Sequence, residues 1–309
     1  MSKASFVYNS MQEMHGMGGV VELRELRSFL AVVKAGSVTR AAEGLHITQP
    51  ALSRQMDQLE HELGCKLLVR GRHGAMPTDE GLLLVSRAEA LLELADKTEG
   101  ELRSAAGGLE GTLAICCGQT AALDEVGCIV AAFREGHPRV RASLYITTAE
   151  SSLHRLREGR ADMAALLEPF DPAGLEYVSL RTRERWVVAI RADDPLVGKD
   201  VLTAADLATG SVIFPHRAGA QSVLASWFGR RFRRVDVVGT ANLNAAGDAL
   251  VRAGVGRCFQ IEPAHGADDL VRIPLDPPLE AGSALAWQQG VPMSRAAAAF
   301  VDFASKWLS

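Results

Sequence analysis

The side chains able to make or break bonds are scattered along this 309-residue chain in a way that fits no catalyst. There is no G-x-S-x-G nucleophile turn, no phosphate-binding glycine loop and no cluster of His, Asp and Glu at metal-ligand spacing. Cys65, Cys116, Cys117, Cys128 and Cys258 have neither C-x-x-C spacing nor a companion histidine at zinc-finger spacing. In a reducing compartment such thiols read as buried small hydrophobes, with redox sensing as the alternative. The adjacent Cys116 and Cys117 would point to opposite faces of a strand. What remains are polar residues suited to holding a molecule rather than converting it. Gly118-Gln119-Thr120, Thr147-Thr148 and Pro215-His216-Arg217 each follow an apolar run that reads as a strand. Open α/β sheets bind ligands beyond the carboxyl ends of their strands. Gln119, Thr120, Thr147 and Thr148 offer hydrogen bonds to a polar ligand, and His216 and Arg217 suit a carboxylate. The favoured ligand is a small carboxylate or aromatic acid, with no cofactor and no metal. The same residues equally serve as ordinary loop and helix-capping groups.

Two kinds of element must carry these residues, and the pattern changes near residue 110. Before it the apolar spacing is helical; after it short β-branched runs alternate with helical stretches, as in an α/β domain. Ala105-Ala106-Gly107-Gly108 stands at the change as a hinge. Composition is that of an ordinary folded protein, with 48% hydrophobic and 23% charged residues. No apolar run reaches the roughly 20 residues that span a bilayer. Residues 1–20 lack a signal-peptide core and are expected to be a disordered arm, so the chain is expected to be cytoplasmic.

Residues 22–34 place Leu23, Leu26, Phe29, Leu30 and Val33 on one helical face, closed by Gly36. Ser37 caps a second helix through its hydroxyl, with Arg40, Ala41 and Ala42 following. Thr48 caps a third, with Pro50 in its first turn and Leu52, Met56, Leu59 and Leu63 facing inward before Gly64. Two short helices around a tight turn, the first rich in alanine, suit a helix-turn-helix; a plain three-helix bundle shows the same spacing. Bulk charge does not decide between them. The net charge is -4, and residues 37–73 hold five basic residues against four acidic.

The individual residues are more specific. Gly36-Ser37-Val38-Thr39-Arg40-Ala41-Ala42, Leu45, Gln49-Pro50-Ala51, Ser53-Arg54-Gln55, Leu59-Glu60, Leu63-Gly64, Leu67-Leu68 and Arg70 resemble the signature of LysR-type transcriptional regulators. Thr78-Asp79-Glu80-Gly81 resembles the motif opening that family's linker helix. Leu68 stands where the family usually has Phe, and Pro77 where it usually has Leu. The resemblance implies an N-terminal all-α winged helix-turn-helix over 21–80 and a linker and dimerisation helix over 81–107. It implies a C-terminal α/β effector domain over 108–309, two-lobed and similar to periplasmic binding proteins. Lobe I is expected at about 108–181 and 287–309 and lobe II at about 182–286, with crossings near 181 and 287. The alternative of a cytoplasmic solute-binding protein would account for the C-terminal part alone.

On that resemblance the third helix enters the major groove of double-stranded operator DNA. Ser37, Arg40, Thr48, Gln49, Pro50, Ser53 and Arg54 then lie at or beside its leading end. Gln pairs a donor and an acceptor with a base edge, and Arg pairs bidentately with guanine or clamps phosphate. Asp57, Glu60 and Glu62 lie beyond the groove, and Glu60 is expected to pair within the protein. Segments 66–69 and 75–77 form a wing with Arg70, Arg72 and His73 at its tip, over a neighbouring phosphate backbone. Leu84, Ala88, Leu91, Ala95, Thr98 and Leu102 form a heptad seam that packs either on a second subunit or on its own domain. The family pairs this helix between subunits. That gives a homodimer on two-fold related half-sites, usually a homotetramer, with RNA polymerase as a further partner. In the C-terminal half, strands are expected at 112–115, 140–146, 162–166, 186–190, 211–214, 235–239 and 256–260, in a mainly parallel sheet. Arg257 departs from the family's small or apolar residue; it either lines the cleft or pairs with an acid such as Glu262.

Overall fold

The computed structural model describes residues 21–71, 74–104, 109–263 and 269–309. The expected N-terminal arm, Arg72 and His73 of the wing tip, and the hinge at 105–108 lie outside the described residues, as do the side chains of Arg70 and Leu102. The chain divides into two compact units, residues 1–99 and 100–309.

The first unit begins with α1 (Leu23–Ala35), α2 (Val38–Gly44) and α3 (Gln49–Leu63). A hairpin of β1 (Leu68–Gly71) and β2 (Gly74–Pro77) follows, then the long helix α4 (Asp79–Ser104). Helices α1 and α3 stop where Gly36 and Gly64 turn left-handed, at φ 61° and 67°; a Cβ strains that conformation. Phe29 and Val32 of α1, Ala41 and Ala42 of α2, and Leu52, Met56 and Leu59 of α3 share one core with Leu67, Leu68 and Ala75 of the hairpin region. The two alanines let α2 cross its neighbours closely. Leu63 does not join this core. It sits in the last turn of α3 and is 37% exposed. Leu68 is buried in place of the bulkier Phe, and Pro77 pairs opposite it at the end of the hairpin.

The heptad seam on α4 is divided. Ala88 and Leu92 are buried against Leu26 of α1, with Leu84 and Leu30 beside them. Leu91 is 51% exposed, and Leu83 and Leu94 are exposed with it. An α-helix turns 100° per residue, so Leu84, Ala88 and Leu92 fan across the packed side, Leu91 lies beside Leu84 at the margin of that stripe, and Leu83 and Leu94 lie together beyond it. Ala95 is half-buried and Thr98 exposed.

The second unit opens with β3 (Gly111–Cys117), α5 (Ala122–Gly136), β4 (Val140–Ile146), α6 (Ala149–Arg157) and β5 (Met163–Leu167). Strand β3 pairs in parallel with both β4 and β5. A 17-residue strand, β6 (Leu175–Arg191), leads into the second lobe. There β7 (Leu202–Thr203), α7 (Ala204–Leu207), β8 (Ser211–Pro215), α8 (Ala218–Phe228), β9 (Asp236–Ala241), α9 (Asn244–Arg252), β10 (Arg257–Ile261) and β11 (Leu270–Asp276) follow. The chain returns through β12 (Glu280–Gln288) and ends on α10 (Arg295–Leu308). The strand order is β4-β3-β5-β12-β6-β10-β8-β9.

Each lobe is parallel at its outer strands, but the middle is not. Strand β12 runs antiparallel to β5 and β6, and β6 antiparallel to β10 and β11, so the sheet is mixed. Strands β6 and β12 belong to both lobes because each is long enough to leave one and enter the other. Ser283–Ala286 already pair with β5 of the first lobe. The return crossing therefore lies at 280–283, ahead of the expected 287. A register shift between Gly282 and Ala284 marks it. Each lobe has a core on either face of its sheet, and the larger core of each is rich in aromatic residues. One forms around Phe133, Trp287 and Phe300, and the other around Trp186, Phe214, Phe228 and Phe259.

Candidate nucleic-acid interface and effector cleft

In the first unit the buried face of α3 fixes what its other face presents. Thr48, Gln49, Pro50 and Arg54 are exposed, Ser53 is half-buried, and Leu52 and Met56 behind them are fully enclosed. Thr48 has the extended backbone of a cap, yet its hydroxyl takes no hydrogen bond from the helix. The expected hydroxyl cap is thus not made, and the free hydroxyl sits at the helix start, where phosphates are favoured. Arg54 folds back so that Nε donates to the Pro50 carbonyl at 3.3 Å, holding the guanidinium along the leading turn. Ser37 does cap α2, accepting from the Arg40 amide at 3.4 Å, and Arg40 is exposed.

The hairpin is locked to this platform. The Ala75 amide donates to the Gly36 carbonyl at 2.9 Å, and a Cβ on Gly74 would come within 2.1 Å of that same oxygen. Behind it, Glu60 is 5% exposed and receives the Leu67 and Leu68 amides at 3.0 Å each and Lys66 Nζ at 2.6 Å. Burial alone would push this carboxyl up; the three hydrogen bonds outweigh it and hold Glu60 below its ordinary value. Thr78 closes the joint, with its hydroxyl donating to the Lys66 carbonyl and accepting from the Gly81 amide. The end of α3, the hairpin and the start of α4 are therefore one rigid piece.

In the second unit a cavity of about 570 Å³ opens between the lobes. Gln119, Thr120, Thr147, Thr148, Pro215, His216 and Arg217 all line it. Thr148 also caps α6, accepting from the Ser151 amide at 3.3 Å, so its capping role and its place at the cavity coexist. His216 Nδ1 lies 3.3 Å from Thr240 Oγ1, and Arg217 Nη1 donates to the Leu167 carbonyl at 2.9 Å. Asn242, Asn244, Gln260 and Ser283 line the cavity too and were not anticipated from the sequence. Asn242 and Asn244 follow the carboxyl end of β9, so the strand-end rule would have found them. Gln260 lies inside a strand, and Ser283 lies at the crossing, where sequence gives no signal.

Arg257 takes the second expected role, pairing with an acid, but the acid is not Glu262. Its guanidinium grips Asp194 through Nε at 2.9 Å and Nη2 at 3.1 Å. Glu262 is held instead by Arg185. Cys116, Cys117 and Cys258 are buried as small hydrophobes, whereas Cys65 is half-buried and Cys128 exposed. Cys116 and Cys117 point into different cores, and burial pushes the Cys117 and Cys258 thiols up to about 12.

Residues 23–82 match the bacterial regulatory helix-turn-helix protein of the lysR family, and residues 106–309 match the LysR substrate binding domain. The chain belongs to the LysR family. Among this LysR-family chain's curated relatives is the HTH-type transcriptional regulator BenM of Acinetobacter baylyi, 37% identical over 57% of each chain. Another is the SDS degradation transcriptional activation protein of a Pseudomonas species, 37% identical over 60% of this chain and 62% of the relative. The aligned region thus spans about three fifths of the length of these relatives. The fold matches the crystal structure of CbnR, a LysR family transcriptional regulator, with a TM-score of 0.71 at 22% identity. That match covers 94% of this chain and all of CbnR. Full-length CbnR complexed with its target DNA matches with a TM-score of 0.66 at 22% identity, over 93% and 99% of the two chains.

Proposed function

We propose that this chain is a sequence-specific, DNA-binding transcriptional regulator whose grip on double-stranded operator DNA is set by a small molecule held between the two lobes. The observation that carries this is the exposed leading turn of α3, Thr48-Gln49-Pro50 with Arg54, fixed on a closed core and flanked by a hairpin bonded to Gly36. Gln49 and Arg54 carry the donor and acceptor patterns that distinguish base edges, and Ser37, Arg40, Thr48 and Ser53 supply phosphate contacts around them. The effector cavity is lined by residues that bind and orient rather than react, and its volume suits a small organic molecule. Relatives named as transcriptional regulators, and a fold-mate captured on its target DNA, support the same assignment.

Dimerisation goes with it. Leu83, Leu91 and Leu94 on α4 are apolar and exposed and border the stripe that packs on α1, which suits pairing with a second copy. Paired heads favour two-fold related half-sites, and further contacts through the effector units would give a tetramer able to meet RNA polymerase. The protein acts in the cytoplasm; among the described residues no helix is long and apolar enough to cross a membrane.

A gel-shift selection from random duplex DNA tests the assignment. Enrichment of a sequence with two-fold symmetry is expected. Equal binding to all duplexes, or none by a folded protein, would refute it. Arg54→Ala is expected to cost about 1–3 kcal/mol on the selected site and less on random DNA if Arg54 reads a base.

A further inference from the structure

From Leu207 to Val235 the chain has no acidic residue and five arginines, four of them in the run Gly229-Arg230-Arg231-Phe232-Arg233-Arg234. This run forms a 3-10 turn that joins α8 to β9. Arg230, Arg231, Arg233 and Arg234 are all exposed, and among the described residues their guanidinium groups make no hydrogen bond or ion pair. The acid nearest in sequence, Asp236, accepts from the Ser211 hydroxyl at 2.9 Å. Elsewhere in this lobe Arg185, Arg191, Arg252 and Arg257 each hold a carboxylate. Four adjacent cations left unneutralised repel one another, and an anionic partner relieves that repulsion.

The turn gives the four a defined arrangement. At three residues per turn, Gly229 and Phe232 share one face, Arg230 and Arg233 a second, and Arg231 and Arg234 a third. The Phe232 ring is fastened to the lobe's aromatic core, 6.0 Å from the Phe214 ring and 6.3 Å from that of Phe228. Fixing that face turns both arginine rows outward. Within each row the residues stand about 6 Å apart along the axis. Two phosphate steps along one DNA strand advance about 6.8 Å, close to that spacing. A protein partner would ask for an aromatic anchor at the centre of the patch, and here the aromatic ring is spent on the core. The patch is also separate from the effector cavity. Strand β9 starts at Asp236, beside the turn, and delivers Ala241 and Asn242 to the cavity at its other end.

DNA binding has need of this charge. Residues 37–73 hold five basic residues against four acidic, and the whole chain carries a net charge of -4. Neutralised phosphates supply much of the affinity of a protein for duplex DNA. On the reading that this chain binds operator DNA, we infer that the arginine turn is a second DNA contact, carried by the effector unit and indifferent to sequence. Its partner is the phosphate backbone outside the bases read by α3. Each guanidinium fork can take two oxygens of one phosphate, so the two rows grip successive phosphates.

The test titrates the full-length protein with the selected operator duplex across a salt series. Each arginine on a phosphate contributes about 0.9 to the slope of log affinity against log salt. Changing all four arginines to Gln should flatten that slope by about two or more. It should also cost at least about tenfold in affinity at low salt, equally on operator and random duplex. Arg230→Gln with Arg233→Gln, which empties one row, should give about half the change in slope. Changing all four to Lys should keep most of the slope. Should the four-Gln variant melt early, the one-row variant decides. An unchanged slope in a folded variant would overturn the inference, and transcription lost at unchanged DNA binding would assign the patch to an acidic protein instead. A flatter slope together with dissociation of the free protein in sedimentation would also overturn it, in favour of a contact between copies. Should the unaltered protein bind no duplex, the DNA reading falls and this inference with it.

Discussion

At the scale of single residues, Glu60 shows how one carboxylate organises a domain. It is enclosed at the end of α3 and accepts from two backbone amides, those of Leu67 and Leu68. Lys66, largely exposed, contributes less than its short distance implies, because surface ion pairs are screened. Glu60→Ala is expected to destabilise the first unit by about 1–3 kcal/mol, the cost of leaving buried donors unmet, measured by urea unfolding. The pH dependence has a definite sign. Since the folded-state pKa of Glu60 lies below its ordinary 4.5, its contribution is complete above that value and disappears as pH falls through the lower, folded one. Melting curves between neutral pH and pH 3 should show this acid limb, and Glu60→Gln should flatten it. The cysteines give a second check. With Cys117 and Cys258 thiols raised to about 12, alkylation of the folded protein at neutral pH should fall on exposed Cys128 and spare those two. Rapid labelling of Cys117 or Cys258 would revive a redox role.

At the scale of elements, the consequential contacts lie at joints. Gly74 and Gly81 are places where backbone meets backbone. A Cβ on either would come within 2.1 Å of a carbonyl oxygen, that of Gly36 or of Leu67. Gly74 also has φ 115°, where an L side chain is strained regardless of space. Gly74→Ala is expected to cost more than about 1 kcal/mol of stability and to weaken DNA binding by displacing the wing. Gly100→Ala, with nothing near its Cβ, serves as the control. Helix α4 makes a separate prediction because its buried and its exposed apolar residues do different work. Leu91→Asp with Leu94→Asp should shift sedimentation from dimer to monomer with little change in melting. Ala88→Leu, which overpacks a fully buried site, should lower melting first. An unchanged dimer in the double variant would place the subunit contact elsewhere.

At the scale of the whole molecule, the proposed regulation is an exchange of free energy between two sites. If an effector changes operator affinity by some factor, operator must change effector affinity by the same factor, commonly about 5–150-fold. Calorimetric titration with and without operator duplex measures both sides. A factor of one would mean that the cavity does not regulate DNA binding. Within the second unit, strands β6 and β12 are shared by both lobes. The first crossing is clasped to α5 by Glu125, which takes the Arg181 and Thr182 amides, and by Glu184. Lobe movement must pass through these two strands.

Much of this was decided by sequence alone, for a physical reason. Helix boundaries at Gly36 and Gly64, the alanines of α2, the leading turn of α3 and the strand-end loops follow from local conformation and periodicity, which neighbouring residues determine. Those local signals sufficed to collect seven residues, six of them polar, that the fold brings to one cavity. Tertiary structure alone settled what depends on distant partners. Strands β11 and β12 have no clear local signature; the Ala-Gly-Ser-Ala of β12 is held by β5 and β6 on either side. The mixed sheet, the crossing at 280–283, the pairing of Arg257 with Asp194 and the division of the α4 seam are of this kind. A side chain's partner is set by which surfaces meet, and periodicity records only that a surface exists.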